Sequence, residues 1–303
     1  MKNKLKNKRI ALIGTSPIML IIANHLVKLN NKITIYSFNK KVGGAWSYYK
    51  YKNHYISTQT NVIVPDNKFE ERNMPLINEY LTKEFNVTIT RNYDKFMPKG
   101  YLAKKNYNYN LNPLYEKVLN NKNVKLIKKF IKQISIKNKK VKINNSIFDE
   151  IFITTFSGIE KLVNGKSIFQ VKPKIILSEH VMVIAKKINR KYLHYSENFD
   201  KNFDRAQIRK IDNYQSFTAR VRKEQKGKDI LRLFLNSKLV KKKSEIIKIV
   251  KTKYKHYYRD YEQRDILRKK TKGIPVNYVN TPVFTESFFD LNKKLNILNK
   301  KYI

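Results

Sequence analysis

The sequence contains no cysteine, and this absence excludes disulfide bridges, thiolate metal sites and cysteine nucleophiles. Histidine is also scarce. The five histidines are scattered, with no pair at i, i+4 spacing: His25, His54, His180, His194 and His256. A metal would need histidine or carboxylate ligands, and this spacing forms no such motif. We therefore expect no metal site, and each histidine is interpreted as an ordinary polar or core residue.

Acidic residues are few as well. Asp and Glu number 23 against 65 Lys and Arg, which gives a formal charge of +42. Lys, Asn, Ile and Tyr are enriched along the whole chain, which indicates a compositional bias rather than a local phosphate-binding face. No helix-turn-helix, zinc-finger or RNP pattern accompanies the charge, so we do not expect specific nucleic-acid binding. An acidic partner remains open because a field of this size attracts polyanions, and a basic polyanion-binding protein stays as an alternative function.

Long apolar runs are also missing. Residues 2–9 are basic and residues 10–23 are mostly apolar, which imitates the start of a secretory signal. The run is interrupted by Gly14-Thr15-Ser16-Pro17, and no small-x-small cleavage site follows. It is also shorter than the roughly 20 residues that a membrane-spanning helix needs. We expect a cytoplasmic protein without a transmembrane segment.

Residues 9–38 have the pattern of a strand–helix–strand unit of nucleotide-binding length. Arg9–Gly14 is an apolar run that predicts a buried parallel strand, residues 15–30 have helical spacing, and residues 32–38 predict a second strand. A dinucleotide fingerprint reads G-x-G-x-x-G at the first turn. Here the turn begins with Gly14, but Ser16 and Met19 replace the second and third glycines. Ser37 stands where an acidic residue would bind a ribose.

The rest of the chain predicts a meander and an antiparallel region. Helices are predicted at 74–85 and 112–120, and strands at 124–136, 140–143 and 148–156. In the second half, strands are predicted at 174–188, 191–196, 216–223 and 229–235. Residues 244–268 are predicted to form one long helix. Its aromatic stripe is expected to pack against the sheet and contains Tyr254, Tyr257, Tyr258 and Tyr261.

Two segments resemble a known family. Lys40-Lys41-Val42-Gly43-Gly44-Ala45-Trp46-Ser47 resembles the R-x-G-G-x-x-[ST] segment of flavoproteins of the amine oxidase, protoporphyrinogen oxidase and UDP-galactopyranose mutase superfamily. Paired glycines let the backbone pass close to a cofactor. The order of a helix at 112–119, a hairpin region at 124–143 and a strand led by Asp149 is similar to the same family. Its V-x-x-I segment reads Ile131-Lys132-Gln133-Ile134 here.

The resemblance implies an α/β fold of two parts. A Rossmann-like FAD/NAD(P)-binding domain with a parallel sheet and a β-meander would comprise residues 1–50 and 121–160. An α+β substrate domain with an antiparallel sheet would comprise residues 51–120 and 161–303. FAD is the implied cofactor, in preference to NAD(P). The residues that the resemblance places at the cofactor are Gly14, Ser16, Pro17, Ser37, Gly43, Gly44, Ala45, Trp46, Ile131, Thr154 and Thr155.

Three features depart from the family pattern. The second and third loop glycines are replaced, the acidic ribose ligand is Ser37, and residues 273–303 contain no Gly-Asp of the usual terminal segment. These departures favour an alternative interpretation, in which the chain is a non-catalytic descendant of the fold that has lost the flavin and acts as a binding or scaffold protein.

Flavin chemistry requires no nucleophile from the protein, so the sequence assigns no catalytic residue. Arginine and tyrosine side chains across the second half suit the binding of an anionic substrate. The candidates are Tyr192, Tyr195, Arg205 and Arg220, followed by Arg209, Tyr214 and Arg222. The expected function is that of a FAD-dependent oxidoreductase, or a flavin-dependent mutase, acting on a small polar substrate of anionic or nucleotide-sugar type.

Overall fold

The structure is a computed structural model. It describes residues 5–38, 42–59, 63, 68–93, 105–155, 157–189, 193–197, 199–279 and 284–297.

The elements of the first half alternate between strands and helices. In chain order they are β1 (Arg9–Ile13), α1 (Pro17–Lys28), β2 (Lys32–Ser37), β3 (Tyr48–Tyr51), β4 (His54–Ser57), α2 (Lys68–Phe85), β5 (Thr88–Tyr93), β6 (Lys105–Asn110), α3 (Asn112–Leu119), β7 (Val124–Lys128), β8 (Gln133–Lys137), β9 (Lys140–Ile143), β10 (Ser146–Phe148) and β11 (Glu150–Thr154). A short 3-10 helix, Gly44–Trp46, lies between β2 and β3.

The second half is richer in strands. Its elements are β12 (Lys161–Asn164), β13 (Ser167–Gln170), β14 (Lys174–Ala185), β15 (Leu193–Glu197), β16 (Phe203–Ile211), β17 (Tyr214–Val221), α4 (Ile230–Asn236), β18 (Ile246–Tyr258), α5 (Tyr261–Lys270), β19 (Val276–Val279) and α6 (Phe284–Leu295).

A parallel sheet forms the first layer, in the order β19-β11-β1-β2-β7, and all four neighbouring pairs are parallel. Helix α1 packs against this sheet and against α3 and α6, so nine of its 12 residues are buried. Burial on both sides explains why β1 and α1 are apolar almost throughout. The predicted strand–helix–strand unit is confirmed.

Two further five-stranded sheets complete the fold. The meander sheet has the order β10-β9-β8-β12-β13, and the antiparallel sheet has the order β15-β16-β17-β14-β18. Helix α4 covers one face of the antiparallel sheet, where Phe203, Phe217 and Phe234 pack together. The other face meets the β3–β4 hairpin, where Thr218 Oγ1 donates to the carbonyl of Ser57 at 3.0 Å. The expected α/β class is confirmed, whereas the division into two domains stays a prediction.

The predicted helix at 244–268 is wrong over most of its length. Residues 246–258 form β18, which pairs with β14 along its whole length, and only α5 is helical. The segment alternates lysines with β-branched and aromatic residues, so it satisfies the strand period as well as the helical one, and the pairing with β14 decides. Helix α5 begins where Asp260 and Gln263 form a capping box.

A smaller prediction also fails. Residues 229–235 were expected to form a strand but form α4, because the Asp229 side chain accepts from the Leu231 amide and caps a helix there. Strand β16 was not predicted. Within the described residues, no α-helix combines the length and the apolarity needed to cross a membrane.

Candidate functional site

A cavity of about 290 Å³ lies at the carboxyl ends of β1, β2 and β11. Its wall includes residues 13–18, residues 37 and 38, and the segment from Gly43 to Trp46. The opposite wall comes from Thr154, Ser157 and Gly158 and from residues 254–257 of β18. Ligands of open α/β sheets bind at this edge, outside the carboxyl ends of the strands. The cavity is therefore the candidate site.

The turn between β1 and α1 presents free backbone amides to this cavity. Gly14 has a φ of +112° and donates from its amide to the Tyr36 carbonyl at 2.8 Å. Ser16 caps α1 by accepting from the Met19 amide at 3.4 Å. Among the described residues, no acceptor bonds the amides of Thr15, Ser16 or Ile18. Amides at a helix N-terminus favour an anionic group, so this turn suits a phosphate or a carboxylate.

The charge of the lining also favours an anion. Ser37 supplies a buried hydroxyl 3.5 Å from Thr15 Oγ1. None of the described lining residues carries a carboxylate, whereas Lys255 lines the cavity. A cationic ligand would find no ionic partner there, and an anionic one would be attracted.

The paired glycines shape the side of the cavity next to α3. Gly43 and Gly44 have left-handed φ values of 89° and 56°. A Cβ on Gly43 would lie 2.7 Å from Tyr115 Oη and 2.9 Å from the Trp46 carbonyl oxygen. Tyr115 donates its hydroxyl to that carbonyl at 2.9 Å. Only glycine fits at position 43, and the loop it permits places the half-buried Trp46 in the cavity wall.

Thr154, Ser157 and Gly158 form the floor of the site. The Thr154 amide donates to Ser157 Oγ at 2.8 Å, and this hydroxyl donates to the Ile13 carbonyl at 3.2 Å. The segment is thereby tied to the end of β1. A Cβ on Gly158 would overlap the ring of Phe130, so this glycine lets the aromatic ring pack directly against the loop.

A buried arginine holds this floor from behind. Arg259 donates to the carbonyls of Thr155 at 2.8 Å, Ser157 at 2.6 Å, Ile159 at 2.5 Å and Val171 at 3.0 Å. Burial lowers the pKa of its guanidinium to about 10. At neutral pH the side chain stays charged, and four charge-assisted hydrogen bonds hold the loop.

Strand β18 closes the cavity from the side of the antiparallel sheet. The Tyr254 hydroxyl lies 2.9 Å from Ser47 Oγ and 2.8 Å from Thr58 Oγ1, which fixes β18 to the segment after the paired glycines. The Tyr257 ring stacks on Phe130, with centroids 5.4 Å apart and planes at 26°. The site thus lies between the parallel and the antiparallel sheets, a common position for ligand sites between structural units.

Two histidines at this wall are linked through a serine. His256 Nε2 lies 2.7 Å from Ser178 Oγ, and His180 Nε2 lies 3.2 Å from the same atom. Burial, followed by the charges of His256, Arg220 and Arg205, lowers the pKa of His180 to about 3. Burial and the charge of Arg220 also lower the pKa of His256. Both imidazoles are therefore neutral at pH 7.

The structure brings most of the sequence-predicted cofactor residues together. The ones that line the cavity are Gly14, Ser16, Pro17, Ser37, Gly43, Gly44, Trp46 and Thr154. Ile131 and Thr155 do not line it. Ile131 is buried in the core beside the meander sheet, and the Thr155 hydroxyl lies 2.9 Å from that of Tyr278. Ala45 belongs to the 3-10 helix, and its side chain lies outside the described residues. Their roles toward a cofactor stay predictions.

The predicted substrate residues lie farther along the antiparallel sheet. Arg205 and Arg220 are direct cross-strand partners, and Arg220 is also opposite His180. Arg220 forms an ion pair with Asp204, which sits at a β-bulge. Tyr192 lies outside the described residues, and so does the side chain of Tyr195 in β15. Substrate binding by these four residues stays a prediction.

The other three candidates already have partners within the protein. Arg209 donates to Asn108 and, at 3.1 Å, to Gln207. Arg222 donates to the Asp200 carbonyl at 2.6 Å. The ring of Tyr214 packs edge-on against the ring of Tyr51, which belongs to β3.

The sequence analysis missed His180, His256, Tyr254, Ser157 and Lys255 as site residues. Tyr254 and His256 share one face of β18, and the same face of β14 carries Ser178 and His180. This alternation is visible in the sequence, but it points to a common site only when residues 246–258 are assigned to a strand.

Comparison with known proteins bears on the fold. No protein-family model and no curated protein matches the sequence. Among solved structures, a redesigned double mutant of putrescine oxidase superposes with a TM-score of 0.64 at 7% identity, covering 96% of this chain and 99% of that chain. Wild-type putrescine oxidase bound to putrescine gives a TM-score of 0.58 at 8% identity, with 96% and 97% covered. A protein of Exiguobacterium sp. 255-15 assigned as a protoporphyrinogen oxidase gives 0.57 at 8% identity, with 95% and 98% covered.

These similarities confirm, at the level of the fold, the resemblance to amine oxidase-like flavoproteins that the sequence indicated. They extend over nearly the whole chain, including the second half, where the sequence carries no recognisable motif of the family. Identities of 7–8% show the fold alone, so the chemistry must be argued from the cavity.

Proposed function

We propose that this chain is a FAD-dependent oxidoreductase that oxidises a small polar substrate in the cavity between its parallel and antiparallel sheets. The observation that carries the proposal is the convergence of three separate segments on one cavity. The β1–α1 turn, the paired glycines and the end of β11 all line it. The sequence resemblance assigned the same three segments to a flavin cofactor.

The residues present fit the diphosphate part of FAD. The unbonded amides of Thr15, Ser16 and Ile18 are suitable donors for a diphosphate, and the described lining contains no carboxylate to repel it. The Ser37 hydroxyl can form one hydrogen bond to a ribose. A volume of about 290 Å³ is at the low end for ligand sites, which span roughly 300–1,000 Å³, so the cavity holds part of a dinucleotide.

Bound FAD would supply the acceptor for the two electrons that the substrate loses. The protein's own part is to bind, orient and exclude water. Trp46 and Tyr257 provide aromatic walls. Arg259 holds the floor through its hydrogen bonds to the carbonyls of Thr155, Ser157 and Ile159. Tyr254 joins the two walls through Ser47 and Thr58, which keeps the distance across the cavity fixed.

The substrate class proposed is a small neutral or anionic polar molecule. The structural neighbour that holds putrescine binds a diamine, but the described lining of this cavity has no carboxylate for an ammonium group and does have Lys255. Arg205 and Arg220 do not line the cavity and Arg220 is paired with Asp204, so their contact with a substrate stays a prediction.

The experiment is an absorbance scan of natively purified protein, repeated after incubation with FAD and removal of the excess. We expect flavin bands that stay with the protein. Loaded protein is then mixed without oxygen with a panel of amino acids, hydroxy acids, small amines and sugar nucleotides, and bleaching of the flavin identifies a substrate. Protein that retains no flavin in either scan, or a retained flavin that no compound bleaches, would contradict the proposal.

A second candidate is a non-catalytic descendant of the fold. Ser37 in place of a carboxylate and the small cavity volume favour it. The variants Ser37→Glu and Ser16→Gly restore the family residues. If these variants bind flavin more tightly and the parent chain shows no oxidase activity, the result supports the hypothesis of a non-catalytic descendant. The expectations of a cytoplasmic location and of an acidic partner stay predictions.

A further inference from the structure

The linked histidines form a hydrogen-bonded chain that starts at the cavity and ends in the protein interior. His256 lines the cavity, Ser178 Oγ lies 2.7 Å from its Nε2, and His180 Nε2 lies 3.2 Å beyond. His180 is only 5% exposed. The three residues come from neighbouring strands, β14 and β18, so a rigid sheet holds their spacing.

The two nitrogens of His256 have different surroundings. Nε2 is engaged by Ser178. Nδ1 of His256 has no hydrogen-bond partner among the described residues, but it is not fully buried. Nδ1 of His180, in contrast, is buried without a partner. His256 is one of the lining residues and its Nε2 is engaged by Ser178, so Nδ1 is the ring nitrogen left for a bound molecule.

The hydroxyl of Ser178 has a single proton, and this restricts which of its two histidine partners it can donate to. When His256 is protonated, both its nitrogens are donors, so Ser178 Oγ must accept from Nε2 and must donate its own proton elsewhere. The partner in reach is His180 Nε2, which accepts only while His180 is neutral. The hydrogen bonds from His256 through Ser178 to His180 can therefore accommodate a protonated His256, provided that His180 stays uncharged.

The surroundings keep His180 uncharged. The charged and titratable groups around the pair are Arg220 on β17, Arg205 and Asp204 on β16, and Tyr254 and Lys255 on β18. Asp204 is paired with Arg220, and the charges of Arg220 and Arg205 both disfavour a proton on His180. A proton that converts His256 to its imidazolium form would thus remain on His256, at the cavity, and would not move on to His180.

We propose that His256 is the catalytic base of this site, with Ser178 and His180 as positioning residues. The inference rests on the proposed function. The O–H or N–H bond of the substrate breaks and its proton goes to Nδ1 of His256. Bound FAD would supply the acceptor for the hydride that the neighbouring carbon loses, which would leave a carbon–oxygen or carbon–nitrogen double bond. Ser178 accepts from Nε2 of the resulting imidazolium and donates to His180.

The first test needs neither flavin nor substrate. Full-length protein labelled with ¹⁵N-histidine is titrated by NMR, and His256→Gln and His180→Gln assign the signals. We expect His256 to be neutral at pH 7 and to titrate below its ordinary pKa. Ser178→Ala removes a hydrogen bond to a charged imidazole and is expected to lower the pKa of His256 further, whereas Ser178→Thr keeps the hydroxyl and the parent pKa.

Diethyl pyrocarbonate, which modifies accessible neutral imidazoles, provides an independent readout. His256 is expected to react and His180 to be protected. A His256 that is charged at pH 7, that resists the reagent, or that keeps its pKa in Ser178→Ala would overturn the inference.

The second test uses the flavin-loaded protein and the compound that bleaches it. His256→Gln is expected to slow flavin reduction by about 10²–10⁴-fold and to abolish the fall in rate toward low pH. The matched control is His54→Gln, because His54 is exposed and pairs with Asp212 away from the cavity. Absence of bound flavin overturns the proposed function. If the His256→Gln variant binds flavin and the substrate reduces that flavin at the parent rate and with the parent pH profile, only the role of His256 is overturned.

Discussion

The guanidinium of Arg259 donates to the carbonyl oxygen of Ser157 at 2.6 Å, and it does so without a carboxylate partner among the described residues. Arg259 is 1% exposed and follows β18 directly, whereas Ser157 belongs to the floor of the cavity. One side chain thus ties the end of the antiparallel sheet to the loop after β11. The shape of the site depends on this contact between two segments that are far apart in the chain.

Arg259→Lys is expected to lower the free energy of unfolding by at least ~3 kcal/mol. Lysine cannot reach four carbonyls at once, and each buried carbonyl left without a donor costs roughly 1–3 kcal/mol. Urea unfolding measures the change. Arg268→Lys is the matched control, since Arg268 is exposed and pairs with Asp265, and its effect is expected to stay within about 0.5 kcal/mol. Equal effects of the two variants would contradict the role given to Arg259.

Gly14→Ala is expected to reduce FAD retention at least tenfold. The φ of +112° is strained for a residue with a Cβ, by roughly 1–3 kcal/mol, and relaxation of the turn would displace the amides that face the cavity. The measurement is flavin absorbance per protein after gel filtration.

Gly273→Ala is the matched control. Gly273 also has a positive φ, of +80°, with open space around a Cβ, but it lies outside the lining. Both variants are expected to lose similar stability, and only Gly14→Ala to lose flavin. Loss of flavin in both, or in neither, would argue against the turn as the diphosphate site.

The first half of the site could be predicted because its signals are local. The apolar run that ends at Gly14, the helical spacing after it and the paired glycines at 43 and 44 each occupy a few consecutive residues. The structure places them on one cavity. Burial on both faces of the parallel sheet makes such strands continuously apolar, which a single sequence reveals.

The second half could not be predicted, because its contacts are distant in sequence. Ser178 and His256 meet across 78 residues, and the meeting requires β18 to be a strand. The residues of β18 fit a helical stripe as well as they fit alternation, and only pairing with β14 distinguishes the two. Arg259 gives no local signal either, since its partners are backbone carbonyls.

Tyr254→Phe is expected to destabilise the protein by about 1 kcal/mol and to weaken flavin retention. The variant removes the hydroxyl that bridges Ser47 and Thr58, but these two residues still contact each other at 2.9 Å, so neither is left without a partner. Thermal melts and flavin absorbance measure the two effects. Tyr261→Phe, at a side chain that is 83% exposed, is expected to change neither. An unchanged Tyr254→Phe would show that β18 is held by other contacts.

The neutral state of His180 predicts a loss of stability in acid. Burial lowers the pKa of His180 from 6.5 to about 3 in the folded chain. Between these values the unfolded chain binds a proton that the folded chain does not, so stability falls as the pH drops below about 6.5 and this contribution levels off near pH 3. At pH 4 the loss from this one residue is of the order of 3 kcal/mol.

His180→Phe removes the titrating group, so the stability of this variant is expected to fall less steeply between pH 6.5 and pH 4. Urea unfolding at half-unit pH steps measures both proteins. The carboxylates that titrate in the same range are common to them, so the difference in slope isolates His180, and identical slopes would mean that His180 is charged in the folded chain.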